Sequence, residues 1–325
     1  MIRRHGRGAA VDGLLLLDKP EGPSSNQVLQ RVRRLFGAER AGHCGTLDPL
    51  ASGLLPVCFG LATRVASLVA GGRKRYRALL RLGIETTTDD REGEAVAFGE
   101  GAMPSDEALA EALGAFRGRI RQVPPLWSAL KRDGEPLYRR ARRGEAPVLE
   151  PREVEAFALE LRSRPAPELV ELEVVCGPGF YVRALARDLG RALGCRAHLA
   201  ALRRLEVGPF TVDAAFAPGA ARGDRGGGGA GRPCTRLLLP IAAALPELPR
   251  VRAGRAPGGG PAPRPRPRRR AAGIEPGAAR ARGGRAGRRA RPAGGVSRAA
   301  SASAACWSSP AEGFALSAER GEGLE

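Results

Sequence analysis

Histidine and aromatic side chains are scarce: the 325 residues include three histidines, and Phe, Tyr and Trp together make up only 4%. With so few imidazoles, and six cysteines that form no C-x-x-C pair, no structural zinc and no other metal is expected. The chain also lacks G-x-x-x-x-G-K-[ST] and H-E-x-x-H, and Gly226 to Gly229 has no lysine or serine partner, so no cofactor is implied. No apolar run reaches the ~20 residues of a membrane span, and the longest candidate, Leu237 to Leu245, contains Pro240. The basic start Met1-Ile-Arg-Arg-His-Gly-Arg7 is followed by only Leu14 to Leu17, short of the ~7 to 15 apolar residues of a secretory signal. A cytoplasmic protein with reduced, buried thiols is therefore expected.

Positive charge is abundant. Lys and Arg number 53 against 34 Asp and Glu, a formal net charge of +19 and a pI near 11.2. A polyanionic partner follows, and with few aromatics its binding must rest on arginine more than on stacking, which makes RNA the natural candidate. The length allows about two domains. The last 75 residues, 251–325, differ from the rest: 19 Ala, 15 Arg, 14 Gly and 8 Pro stand against seven residues among Val, Ile, Leu, Phe and Trp. Such a segment cannot bury enough apolar surface to offset chain entropy, so a disordered tail is expected. Residues 216–250 read as a Gly/Arg/Pro linker and a short apolar segment.

Periodicity places alternating elements before that. Gly13 to Leu17 is a buried strand; Ser24 or Ser25 caps a helix through about Phe36, closed by Gly37. Leu54 to Phe59 is a short strand, Ala62 to Val69 a helix and Lys74 to Leu82 a strand. Ser105 caps a helix with Asp106 and Glu107 in its first turn, where carboxylates suit the dipole. Glu168 to Cys176 alternates as a strand, and Tyr181 to Leu193 is an amphipathic helix ended by Gly194. The expected fold is α+β, a mixed and largely antiparallel sheet with flanking helices over residues 10–215.

The segment Arg40-Ala-Gly-His-Cys-Gly-Thr-Leu-Asp-Pro-Leu-Ala-Ser-Gly-Leu-Leu55 presents a single carboxylate, Asp48, on a loop. Glycines permit tight backbone there, and Pro49 biases Asp48 away from helix. An isolated Asp-Pro is usually just a turn. Here the run resembles the GTLDPLASGLL signature of the TruB family, the tRNA pseudouridine-55 synthases. Five further blocks are similar to the same family: Asp12 to Asn26; Lys74-Arg-Tyr-Arg77; Pro124 to Tyr138 with the arginines to Gly144; Cys176 to Gly190; and Gly194 to Phe210. Departures occur at Trp127, where the family commonly has tyrosine or phenylalanine, and at Pro178 and Phe180, where it has lysine and threonine.

The resemblance implies a pseudouridine synthase fold, a T-arm-contacting insert near residues 120–150, and, in the family, a PUA-type barrel beyond about Arg250; an out-of-frame remnant of that barrel is one origin for the tail. It implies an isomerase, an intramolecular transferase that breaks the N-glycosidic bond of uridine 55 in the tRNA T-loop, turns the base and rejoins it through carbon. Asp48 is then the nucleophile, Arg183 its partner, and Tyr76 a stacking residue that takes part in proton removal. His43, Tyr181 and Leu202 serve the flipped base, with Lys19, Lys131 and Tyr138 on the RNA. An Asp48–Arg183 pair at about 4 Å is worth about 4 kcal/mol before desolvation at an effective dielectric near 20. No redox centre or metal is needed, and a monomer is expected. Taken without the family, Lys19 fits a core strand equally well, and Tyr76 a core position. The alternatives are a tRNA-binding or tRNA-folding protein without catalysis and a synthase acting on another RNA; a glycosidase would need a second carboxylate.

Overall fold

The computed structural model describes residues 11–217 and 235–246; the tail expected from 251 to 325 and most of the expected linker lie outside the described residues. The first half runs β1 (Gly13–Lys19), α1 (Ser25–Leu35), β2 (Ala41–His43), β3 (Ala51–Phe59), α2 (Ala66–Gly71), β4 (Lys74–Leu82), β5 (Ile84–Thr86), β6 (Ala95–Phe98), α3 (Asp106–Gly114) and β7 (Gly118–Gln122). The second half runs β8 (Lys131–Arg132), β9 (Glu135–Pro136), α4 (Leu137–Arg142), β10 (Arg152–Ala166), β11 (Leu169–Cys176), α5 (Val182–Ala192), β12 (Ala197–Val207) and β13 (Phe210–Thr211).

One sheet organises these elements, with its strands in the order β1-β3-β12-β4-β11-β10-β7; β2 adds to β3 and β13 to β12. Its pairings are antiparallel except where β12 meets β3, placing Leu202, Arg203 and Arg204 opposite Ala51, Ser52 and Gly53. The protein is therefore α+β with a mixed, largely antiparallel sheet.

Alternation along β1 and β3 explains their near-continuous apolar sequence. Leu15, Leu17, Leu55 and Val57 point into one core with Val28, Leu29 and Val32 of α1 and Leu185 and Leu189 of α5. Leu14, Leu16, Leu54 and Cys58 point to the opposite face, under Val69 of α2. A strand buried on both faces has no polar side, and each enclosed leucine contributes about 2 kcal/mol. Part of the expected linker shares this second core: Leu239 exchanges main-chain hydrogen bonds with Leu14 at 2.7 and 2.9 Å, and Ile241 and Leu245 pack beside it.

Local signals act as sequence chemistry requires. Ser24 accepts from Gln27 N, and the Gln27 side chain accepts from Ser24 N, closing a capping box that starts α1. Ser105 caps α3. Differences also occur. The helix expected over 62–69 begins as a 3₁₀ turn from Gly60 to Val65 and is α-helical only over Ala66–Gly71. β12, which the periodicity did not mark as a strand, lies in the interior of the sheet between β3 and β4.

Candidate active site

Asp48 sits in the loop from β2 to β3, and the loop is fixed from below. Leu47 and Leu50 are buried on either side of it, and the Ser25 hydroxyl bonds both Leu47 N and Leu47 O at 2.8 Å. Between these anchors the Asp48 side chain stays 35% exposed and faces a cleft. Tyr76 of β4, Leu202 of β12, and Phe180, Tyr181 and Arg183 at the start of α5 line the same cleft. Strand pairing sets these neighbours: Leu202 stands opposite Ala78, and Arg204 opposite Tyr76. Tyr181 is held at both main-chain groups by the Gln122 amide, at 2.8 and 3.0 Å.

Arg183 is the electrostatic centre. It is buried, with Nε 3.0 Å from Asp48 Oδ2, off the N–H axis, so the contact is an ion pair more than a hydrogen bond. Nη1 lies 3.3 Å from Asp90 Oδ2 and donates to Thr88 O, while Nη2 donates to Trp127 O at 2.9 Å. Every side of the guanidinium is thus engaged, which fixes its direction. Burial pushes the Asp48 carboxyl above its ordinary range and nearby Asp90 adds to this, while Arg183 and Lys19 oppose the shift. Burial likewise raises the Tyr76 phenol, and the charge of Arg204 opposes it.

The cleft gathers Asp48, Tyr76, Arg183, Tyr181 and Leu202, and leaves the other expected residues outside its lining. Lys19 requires a correction. Expected to meet RNA phosphate, it is fully buried, and its ammonium donates to Ala51 O at 2.6 Å, Pro20 O at 2.9 Å and Pro49 O at 3.4 Å. Its donors are spent on the Asp48 loop, and burial lowers its pKa to about 8 against the opposing charge of Asp48. His43 is half-buried at the end of β2, paired with Val57, with Nδ1 enclosed and without a hydrogen bond. Burial and then Arg204 lower its pKa. Lys131 is exposed on β8, and Tyr138 on α4 lies 5.6 Å beneath the Arg142 guanidinium. Tyr138 N bonds Ser128 O at 3.0 Å, which ties this arginine-rich insert to the cleft rim.

Three participants escaped the sequence: Asp90, Gln122 and Arg204. Asp90 belongs to the acidic turn Thr88-Asp-Asp-Arg-Glu-Gly93, yet it is buried and also accepts from the Thr88 hydroxyl and Glu92 N. A run of charge gives no hint of which member turns inward.

Comparison with known proteins places this geometry. The family description "TruB family pseudouridylate synthase (N terminal domain)" matches residues 33–182, and "tRNA pseudouridylate synthase B C-terminal domain" matches residues 183–217. The class of the fold and site is therefore pseudouridylate synthase. A tRNA pseudouridine synthase B from Xanthomonas campestris pv. campestris (strain B100) is 50% identical over 247 residues, 74% of this chain and 77% of the relative. One from Gluconacetobacter diazotrophicus is 46% identical over 247 residues, 76% of this chain and 79% of the relative. Among solved structures, a Cbf5-Nop10-Gar1 complex contains a chain with a TM-score of 0.55 at 29% identity, covering 72% of this chain and 62% of that one. The chain belongs to the TruB family, enzymes that isomerise uridine to pseudouridine in tRNA. No helix among the described residues is long and apolar enough to cross a membrane.

Proposed function

We propose that the uridine isomerised is the one at position 55 in the T-loop of tRNA, and that Asp48 is the nucleophile. The observation that carries this is the placement of one half-exposed carboxylate in a cleft whose other walls are Tyr76, Leu202 and Arg183. A base inside a folded RNA loop is out of reach, so the uridine flips into the cleft at a cost of a few kcal/mol, offset by stacking and phosphate contacts. Tyr76 and Leu202 supply flat and apolar walls for it. Asp48, oriented by Arg183, attacks the sugar or stabilises its cationic character while the N-glycosidic bond breaks. The base turns and bonds through C5, whose proton then leaves. The arginine-rich insert from Lys131 to Gly144 meets the T-arm at the rim, and the protein works as a monomer.

Asp48→Asn removes the negative charge and preserves shape. Pseudouridine formation on a tRNA transcript should vanish, while tRNA affinity and melting temperature stay at the parental values. Product at the parental rate refutes Asp48 as the nucleophile. Pseudouridine appearing elsewhere than position 55 in the parental reaction, mapped by primer extension after carbodiimide treatment, refutes the T-loop assignment.

A further inference from the structure

Two adjacent arginines in β12 have opposite fates. Arg203 turns to Asp18 and pairs with it at 2.7 Å. Arg204 is 1% exposed and forms no ion pair among the described residues. Its guanidinium is spent on main-chain carbonyls: Nε donates to Leu54 O at 2.7 Å, Nη2 to Gly45 O at 3.1 Å and Nη1 to Thr46 O at 3.4 Å. Gly45 and Thr46 precede Asp48, and Leu54 follows it. One side chain therefore ties together both ends of the loop that carries the carboxylate.

Two glycines, Gly45 in that loop and Gly53 in β3, answer to the same residue. A Cβ on Gly53 would fall 2.2 Å from the Arg204 carbonyl oxygen, and one on Gly45 would stand 3.5 Å from Nη1. The pairing of β12 with β4 shifts register between Arg204 and Glu206, an irregularity of the kind that re-aims a side chain beside an active site. A guanidinium cannot shed its proton, so burying it without a carboxylate is costly, whereas a neutral side chain would fill the space without that penalty. Its charge acts on the phenol of Tyr76, its partner in the strand register, on which Cys176 and Asp48 also act, and it bears on Lys19, His43, Cys44 and Lys74 around it.

We propose that Arg204 is a positioning residue for the isomerisation: it clamps the two ends of the Asp48 loop and sets a fixed charge beside Tyr76 while touching no RNA. This rests on Asp48 as the reacting carboxylate. Arg204→Lys keeps the charge and loses the fork, whereas Arg204→Met loses both. Because a misplacement of about 1 Å costs about 100-fold in rate, kcat should fall about 10-fold in the lysine variant and about 100-fold in the methionine variant. KM for tRNA should hold in both, since Arg204 is enclosed. The chain has three tyrosines, so 3-fluorotyrosine labelling gives three ¹⁹F resonances, and Tyr76 is assigned with Tyr76→Phe. Its resonance should titrate at higher pH in Arg204→Met than in the parent, and stay near the parental value in Arg204→Lys.

A lysine variant with parental kcat overturns the proposal, whether or not the methionine variant folds. A Tyr76 titration that does not move in a folded Arg204→Met overturns the electrostatic half, and a rise in KM matching the loss in kcat shows an RNA contact and overturns the positioning role. Asp48→Asn separates the two levels. If it turns over, the assignment of Asp48 fails; if it is dead while Arg204→Lys is fully active, only the role of Arg204 fails.

Discussion

Asp48 and Asp90 share one cation, and that sharing decides what happens when Arg183 is lost. Arg183→Met leaves the two carboxylates that shared this cation without it, where their like charges repel. Removing one partner of a buried ion pair costs about 3 kcal/mol or more. The variant should therefore melt well below the parent, and Asp90→Asn added to it should recover part of the loss; thermal melts of the single and double variants check this, and no recovery would show that repulsion is not the cause. Lys19 acts on the same carboxylate from the other side. With Asp48 as the proposed nucleophile, its anion is the working form, so turnover should fall as pH drops through its raised pKa, and Lys19 is a cation that holds that value down. Lys19→Met should move the acid limb of kcat to higher pH. A limb that stays in place, measured under saturating tRNA, would remove Lys19 from the electrostatics of the site.

Gly53 shows how an element carries the site. Its φ is +101°, and any side chain would strike the Arg204 backbone, so only glycine lets β3 lie parallel against β12 at this register. Gly22 has nearly the same φ, +104°, with nothing within 4 Å of an added Cβ. Gly22→Ala therefore tests backbone strain alone, of the order of 1–3 kcal/mol. Gly53→Ala should cost clearly more in denaturant unfolding and should also lower kcat; equal losses would mean that the β3–β12 contact is soft. Capped or evenly alternating elements were open to sequence reading: Ser24 starts α1, Ser105 starts α3, and Lys74–Leu82 forms β4. β12 was not, because Leu-Arg-Arg-Leu-Glu alternates poorly and only tertiary burial turns Arg204 inward. The Asp48 loop was legible through its motif, whereas Asp90 and the inward turn of Lys19 depend on contacts between residues far apart in the chain.

At the scale of the whole molecule, the excess of positive charge governs association with RNA. The net charge of +19 includes +10 from residues 251–325, where 15 Arg meet 5 Glu, so the remainder of the chain keeps +9. The local arrangement decides which cations are available. In the insert around α4, Arg143 is neutralised by Glu135 and Glu145, and Arg140 by Asp133, whereas Arg139 is exposed and forms no ion pair among the described residues. An arginine outside any ion pair that neutralises one phosphate releases its condensed counterions, so its loss should reduce the slope of log affinity against log salt by ~0.7 to 0.9. Arg139→Ala should show that reduction with kcat unchanged, because the residue lies away from the cleft lining. Arg143→Ala should change the slope less, since that guanidinium must first leave two carboxylates to reach a phosphate. Filter binding of tRNA across a salt series compares the two, and a larger effect at Arg143 would mean that the insert rearranges on the RNA and that the ion pairs of the free protein do not predict its contacts.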